Sequence, residues 1–447
     1  MKTQPRNSRI IILCLFLTAG TLTAELTGSS GTIQTMVDSV SAENLLTYVR
    51  TLESSGGYHS RVDYTPGYDS AAAYLLRTFT SFRFLTSVKY DTFYVPAALS
   101  PFNTRPLVNV VATLAGKKDP SKIILIGAHL DACANKMPGW QQDWGTISAP
   151  GADDDASGVA ALVEIARVMS DSSFLFSNDY TIQFVAFGAE ESIPVYPSWT
   201  YGSLHFAQHA KAEGKNILGT ICLDMIGYNS SYMYLAVVAD SQSSWLGEHC
   251  RAMNDKYKIG LIMNTPPFPT HSYSDHASLW ASGYPAILLI ENYLPTVDGP
   301  YYQKNDLYHS SGDTSGTLNF QLIKKSTQLT LAAVAELSSS SSTDVHAVHA
   351  KEPASFSLSQ NYPNPFNPTT MISYHLPAGQ AGLPVNSHIT LMVFDILGRE
   401  VVTLVDREMD AGTYVVEWNA WGFPSGMYFC RLTHGAMTQV RKMQILK

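Results

Sequence analysis

Apolar residues recur at helical spacing through the stretch from about 32 to 87, as in SAENLLTYVRTL, where Leu45, Leu46, Val49 and Leu52 share a face, and in SAAAYLLRTF. This pattern predicts amphipathic helices. Farther along the period changes: LVNVVATLAG and KIILIGAHLD are β-branched runs, GVAALVEIARVMS is helical, YTIQFVAFGAEE is a strand, SLHFAQHAKAEG a helix, and ILGTICLDMIG and PAILLIENY strands. Apolar strands alternating with helices predict an α/β domain, a mainly parallel mixed sheet covered by helices on both faces. A last helix near residue 323, LIKKSTQLTLAAVAEL, closes this domain at 337, and a Ser-rich stretch from Ser338 to about Ala354 reads as a linker. Beyond it come short alternating segments, ITLMVFDILG, EVVTLVD, GTYVVEWNA and GMYFCRL, separated by turn signals at Ala411-Gly412 and Pro424-Ser425-Gly426. They predict a small all-β, immunoglobulin-like sandwich over residues 355–447, opened by NYPNPFNPTT.

The N-terminus does not fit the globular pattern. Lys2, Arg6 and Arg9 precede an apolar run from Ile10 to Leu17 and then small and polar residues ending at Ala24, the layout of a secretory signal peptide spanning residues 1–24. The run falls short of the roughly 20 apolar residues that cross a bilayer, and no later segment reaches that length. Four cysteines remain after this segment: Cys133, Cys222, Cys250 and Cys430. Export permits disulfides, yet their spacing selects no pairing. With 447 residues the chain has room for more than one core, and 15% charged against 45% hydrophobic residues excludes a disordered chain. The net charge of −8 and scattered basic residues leave no footprint for nucleic acid.

In an open parallel sheet, ligands gather beyond the carboxyl ends of the strands. Those ends carry acids: His129 and Asp131 in GAHLD, Asp153, Asp154 and Asp155 in the GADDDASG loop, Glu190 and Glu191, Asp224, and Glu291. Carboxylates converging on one edge repel one another unless a positive charge sits among them, so a divalent cation is the simplest expectation. A donor set of carboxylates and imidazoles without cysteine favours zinc, manganese or cobalt, and two metals bridged by one carboxylate would use this much negative charge. Taken singly, each piece has an ordinary structural use: His129 as a core histidine, the three aspartates as a helix start, the two glutamates as a solvated pair.

Together, GAHLD, APGADDDASGVAALVE, AFGAEES, CLDMIGY, SDHAS and DLYHSSGDT resemble the secreted dizinc aminopeptidases of a metallopeptidase family that also holds glutamate carboxypeptidases and glutaminyl cyclases. The likeness spans about residues 32–337 of an expected zinc exopeptidase-like domain, 25–337. It implies that His129 and Asp224 hold one zinc, Glu191 and His309 the other, and that Asp154 bridges the two. It implies further that Asp131 orients the His129 imidazole and that Glu190 is the general base for water attacking a peptide bond. Relatives often carry a tyrosine just before the SDH motif to stabilise the oxyanion; here PTHSYSDHAS offers His271 and Tyr273 in open register. His276 is expected to stand behind the ligands or to be a packing group, and not to be a zinc ligand. Met225, Ile290 to Leu294 and Tyr301 are expected along the substrate pocket.

The resemblance leaves two alternatives. YPSWTYGS, after Glu191, is loosely similar to the glutaminyl cyclases, which use one zinc; and a peptidase fold that has lost activity would be a surface binding protein. The C-terminal module resembles the sorting domains of type IX secretion substrates in NYPNPFNPTT, ILGREVVTLVD, AGTYVVEWNA, PSGMYFCRL and RKMQILK. Similar sandwiches also occur as spacers. The expectation is a monomeric aminopeptidase with two zinc ions, acting on peptides, exported through secretion machinery that reads its tail, and secreted or held at the cell surface.

Overall fold

The computed structural model describes residues 29–339, apart from 197, 265–271 and 292–300, and residues 356–446, apart from 359, 362–363, 365, 367–368, 377–386, 410–411, 421 and 436. The expected signal peptide, most of the expected linker and His271 lie outside the described residues.

Helical spacing gives α1 (Ser29–Asp38), α2 (Ala42–Glu53) and α3 (Pro66–Ser81). Leu45, Val49 and Leu52 are buried, whereas Leu46 is only half-buried at the edge of that face. Ser41 caps α2 by accepting from the Asn44 amide, and Thr65 with Pro66 starts α3. The remaining helices of this domain are α4 (Trp140–Asp143), α5 (Ala156–Met169), α6 (Tyr201–Ala212), α7 (Ser244–Lys256), α8 (His276–Ala281) and α9 (Phe320–Ser338). The strands are β1 (Ser87–Phe93), β2 (Leu107–Leu114), β3 (Asp119–His129), β4 (Tyr180–Phe187), β5 (Asn216–Leu223), β6 (Tyr234–Ala239), β7 (Ile262–Asn264) and β8 (Ala286–Ile290).

They form one sheet in the order β1-β2-β4-β3-β5-β8-β6-β7. Its centre, β4-β3-β5-β8, is parallel; β1, β2 and the β8–β6 pairing are antiparallel. Alternation sorts the core to two faces. Ile124 and Ile126 join the larger cluster beneath α5 and α9, while Ile123 and Leu125 pack with Val185, Phe187 and Ala210 of α6 on the other. Edge strand β1 carries Lys89 and Asp91 and is mostly exposed, so it shows no apolar run by which the sequence would announce it. Helix α9 continues through Ser338, which is buried and whose carbonyl accepts from the Asp179 amide at 2.6 Å. The first serine of the expected linker is thus spent inside the domain.

The C-terminal strands are β9 (Ser357–Leu358), β10 (Thr369–Leu376), β11 (Ser387–Asp395), β12 (Glu400–Met409), β13 (Gly412–Asn419), β14 (Gly426–His434) and β15 (Met437–Ile445). They make two antiparallel sheets, β13-β10-β9 and β12-β11-β14-β15. Ile372 and Trp418 of the first share a core with Leu391, Val393 and Leu432 of the second, which is the expected sandwich.

One backbone junction carries the geometry of the candidate site. The amides of Thr200, Tyr201 and Gly202, at the start of α6, donate to the carbonyls of Glu190, Ala189 and Gly188 at 2.9, 2.8 and 3.0 Å. Gly202 is required there, because a Cβ would stand 2.1 Å from the Gly188 carbonyl oxygen. Gly202→Ala must push α6 off the end of β4. The expected loss is about 1–3 kcal/mol of unfolding free energy, the usual cost of overpacking, read by urea denaturation.

Candidate metal centre

Beyond His129 the chain runs on as Leu130, Asp131, Ala132 and Cys133, and alternation sends Leu130 and Ala132 into the core. His129 and Asp131 turn the other way, while Cys133 packs with the core. His129 Nε2 lies 2.9 Å from Asp154 Oδ1 and 3.6 Å from Asp224 Oδ1. His309 Nε2 lies 3.0 Å from Asp154 Oδ2 and 2.8 Å from Glu191 Oε1. Asp154 therefore offers one oxygen to each imidazole. All five residues brought together here are buried or nearly so.

Of the three consecutive aspartates only the middle one enters this cluster. Asp153 accepts from the Gly227 amide at 2.9 Å and from Asn305 Nδ2 at 3.1 Å. Asp155 caps α5 through the Gly158 amide at 2.8 Å and accepts from the His129 amide at 3.1 Å. Glu291, also at a strand end, accepts from the Asn229 amide at 2.5 Å and does not join the cluster. Asp131 faces His129 Nδ1 at 3.8 Å, too far for a hydrogen bond. Its two oxygens instead receive the amides of Glu190 and Glu191, at 3.1 and 2.9 Å. It thus holds the turn that presents the two glutamates while facing the imidazole that the sequence expected it to orient.

The electrostatics call for a cation. His129 Nδ1 and Nε2, Glu191 Oε1 and Asp224 Oδ1 are buried atoms without a hydrogen bond among the described residues. Burial disfavours a charged His129, yet Asp131, Asp154 and Asp224 outweigh it and hold the imidazole well above its ordinary range. Burial, with Glu191, Asp224 and Asp275 nearby, raises the Glu190 carboxyl well above its usual value, against the pull of His129. The spacings of about 3 Å and slightly more suit donors sharing a small ion, since tetrahedral bonds of about 2.0–2.1 Å set ligand atoms roughly 3.4 Å apart. The residues thus fit the divalent metal anticipated from the sequence.

The backbone bends to make this cluster. Ala189, Met225 and His309 have φ of 54°, 48° and 58°, left-handed values that cost non-glycine residues about 1–3 kcal/mol each. The carbonyl of each is held: Ala189 by the Tyr201 amide, Met225 by the Glu291 amide, and His309 by the Lys136 amide.

A cavity of about 370 Å³ opens over Glu190, Glu191 and Asp224. Its apolar wall comes from Trp199, Met225, Tyr273, Leu288, Ile290 and Tyr308. Met225 and Tyr273, named from the sequence as candidate contacts, both line this cavity, and Tyr273 is 63% exposed. Tyr301 instead stacks on Tyr234, outside the cavity lining, and residues 292–294 lie outside the described set. His276 is buried, packs edge-to-face against Trp280 at 4.5 Å and also lines the cavity.

Residues 109–334 match the model of peptidase family M28. The chain belongs to that family. Residues 360–446 match the secretion system C-terminal sorting domain, so the family's catalytic fold here is joined to a sorting tail. Among relatives, the uncharacterised YfbL of Escherichia coli is 32% identical over 249 residues, covering 49% of this chain and 68% of its own. Leucine aminopeptidase 1 of Sclerotinia sclerotiorum is 28% identical over 237 residues, 51% of this chain and 55% of that protein. In fold, the chain is similar to a zinc aminopeptidase from Bacillus subtilis, with TM-score 0.54 and 17% identity over 68% of this chain and 96% of the other. It is similar also to Porphyromonas gingivalis glutaminyl cyclase, with TM-score 0.51 and 20% identity over 66% of this chain and 98% of the other.

Four residues in this M28 domain escaped the sequence reading. Tyr308 stacks on His309 at 3.6 Å between ring centres, and Lys136 Nζ lies 4.5 Å from the centre of the Tyr308 ring. Cys133 packs in the apolar core and has its sulfur within 4.8 Å of ligand atoms of Glu191 and His309. Arg61 is wholly buried and donates to the carbonyls of Leu130 at 2.9 Å, Gly151 at 2.8 Å and Pro150, tying together the two loops that carry His129 and Asp154. Asp313, in DLYHSSGDT, accepts from the amides of Asp153 at 2.8 Å and Asp154 at 3.1 Å. Asp313→Asn leaves one amide facing an NH₂ group and frees the Asp154 loop. Zinc affinity is expected to fall by roughly 10–100-fold in a chelator competition, with the far-ultraviolet circular dichroism unchanged.

Proposed function

We propose that the chain is an exported zinc aminopeptidase that hydrolyses the N-terminal peptide bond of peptides at a dinuclear site. The observation that carries this reading is Asp154, one oxygen 2.9 Å from His129 and the other 3.0 Å from His309. That arrangement suits one carboxylate shared by two cations roughly 3.5–4 Å apart. In this reading His129 and Asp224 hold one zinc, Glu191 and His309 the other, and Asp154 both; manganese or cobalt would suit the same oxygen and nitrogen donors. Zinc bound there supplies Lewis acidity, polarising the scissile carbonyl and lowering the pKa of water.

The chain's own residues supply position and proton transfer. Glu190 takes the proton of the attacking water and returns it to the leaving amine. Asp131, gripping the adjacent amides of Glu190 and Glu191, fixes the base relative to the ligand beside it. The carboxylates at the cavity floor favour a free, positively charged amino terminus, and the wall of Met225, Leu288 and Ile290 favours an apolar first side chain. Tyr273, at the mouth, contacts substrate or the developing oxyanion, the role for which His271 is the other candidate. The tail engages secretion machinery and takes the enzyme to the cell surface or beyond, and the peptidase works as a monomer.

Metal analysis of the purified protein tests the centre: zinc content near two per chain is expected, lowered by His129→Ala. Content near one, indifferent to that substitution, returns the reading to a glutaminyl cyclase-like enzyme. Glu190→Gln is expected to keep both metals while kcat drops by about 10² to 10⁴, the usual contribution of a general base. Loss of metal in this variant would assign Glu190 to ligation. Acetylating the amino terminus of a peptide substrate is expected to abolish cleavage, measured as kcat/KM beside the free peptide; equal values would indicate an endopeptidase.

A further inference from the structure

Asp63 is wholly buried and takes no part in the cluster, yet it stands behind it. Its segment runs beside the chain that leaves β3: Arg61 Nε donates to the Leu130 carbonyl at 2.9 Å, and the Ala132 amide donates to the Arg61 carbonyl at 3.3 Å. That pairing sets Asp63 against Asp131, close enough for one carboxyl to hydrogen-bond the other once a proton lies between them. Asp63 Oδ2 accepts from the hydroxyl of Tyr196, itself only 2% exposed, whereas Oδ1 is buried without a hydrogen bond among the described residues. Two buried carboxyls in contact cannot both stay ionised. Both oxygens of Asp131 already accept amides, those of Glu190 and Glu191, which favours the carboxylate there. The proton therefore belongs to Asp63, and Oδ1 is its donor instead of an orphaned acceptor. In the same sense, burial and Asp131 raise the Asp63 carboxyl well above its usual value, against the pull of Tyr196 and the Ala189 amide.

We propose that Asp63 is a positioning residue for Glu190, a carboxylic acid that donates to Asp131 while accepting from Tyr196. The inference rests on the aminopeptidase reading above, in which Glu190 is the general base. A hydrogen bond from a neutral acid to a carboxylate is charge-assisted and stronger than one between neutral groups. It holds Asp131 in place, and Asp131 holds the consecutive amides of Glu190 and Glu191. Tyr196 lies farther along the same loop, so Asp63 clamps the segment from Glu190 to Tyr196 at two points, once through Asp131 and once through the tyrosine hydroxyl. Neither contact needs a negative charge on Asp63. An amide of the same shape serves equally.

The test combines zinc content, kinetics on a peptide with a free amino terminus, and infrared spectra of the purified holoenzyme. In Asp63→Asn the amide nitrogen replaces the donor to Asp131 and the amide oxygen still accepts from Tyr196, so kcat is expected to stay near the wild-type value. Asp63→Ala is expected to lower kcat about 10–100-fold, the usual effect of removing a group that supports the site from behind, with KM and zinc content nearly unchanged. A residue needed only for folding would instead reduce the amount of folded protein and leave kcat per zinc-loaded chain intact, and that result overturns the proposal. An asparagine variant as impaired as the alanine one also overturns it, since the acid would then act through its charge. If the alanine variant does not fold, the infrared spectrum decides: the carbonyl band of a protonated carboxyl is expected in the wild type and missing in Asp63→Asn, and its absence from that difference overturns the proposal. A wild type that cleaves no peptide overturns the aminopeptidase reading and the positioning role with it, while the band, read without substrate, still reports whether Asp63 holds its proton.

Discussion

Four carboxylates, those of Asp154, Glu190, Glu191 and Asp224, converge with two imidazoles in a space from which water is largely excluded, and that repulsion is the constraint the rest of the domain answers. Like charges in such surroundings must be neutralised by protons, by protein cations or by a metal. The fold supplies partial answers. Backbone amides are assigned to Asp131, Asp153, Asp155 and Asp313, so the supporting aspartates are stabilised as hydrogen-bond acceptors and the central ones are left open. Arg61 is buried where Asp313, Asp155 and Asp131 act on it, and those charges counter the burial that lowers its pKa. What remains is the Asp154 group, faced by His129 and His309, which is where the proposed metal would sit.

The same division explains why the supporting residues are as demanding as the cluster itself. Asp154 can place one oxygen toward each histidine only because Asp313 holds its amide and that of Asp153. Glu190 and Glu191 sit side by side yet serve different ends because Asp131 takes both their amides and α6 takes the carbonyls of Ala189 and Glu190. The left-handed backbone at Ala189, Met225 and His309 is the local cost of turning sheet edges into a cup, and the hydrogen bonds to each carbonyl offset it.

The central strands and the acids at their ends were legible because buried parallel strands are apolar runs, after which any charged residue stands out; His129, Glu190, Glu191 and Asp224 are of this kind. His309 lies on no strand and came from resemblance alone. Strands β1 and β6 escaped notice: β1 is an edge with alternating exposure, and β6 pairs antiparallel at the far side of β8. Periodicity could not separate the three consecutive aspartates, since their different tasks depend on partners as distant in the chain as Gly227, Asn305 and Asp313. Asp131 shows the limit of spacing most clearly. Alternation correctly turned it toward His129, but the hydrogen-bond distance went to amides contributed by another strand.

The residues of the cluster are drawn from His129 at the end of β3 to His309 near the end of the domain, with β3, the α5 loop, β4 and β5 each giving one part. No short segment holds enough of them to grip a metal ion firmly, and closing contacts so far apart in sequence comes late in folding. On the function proposed here, a chain still being threaded through a membrane is a collection of separate weak donors. Hydrolytic power would then arrive only with the finished sheet.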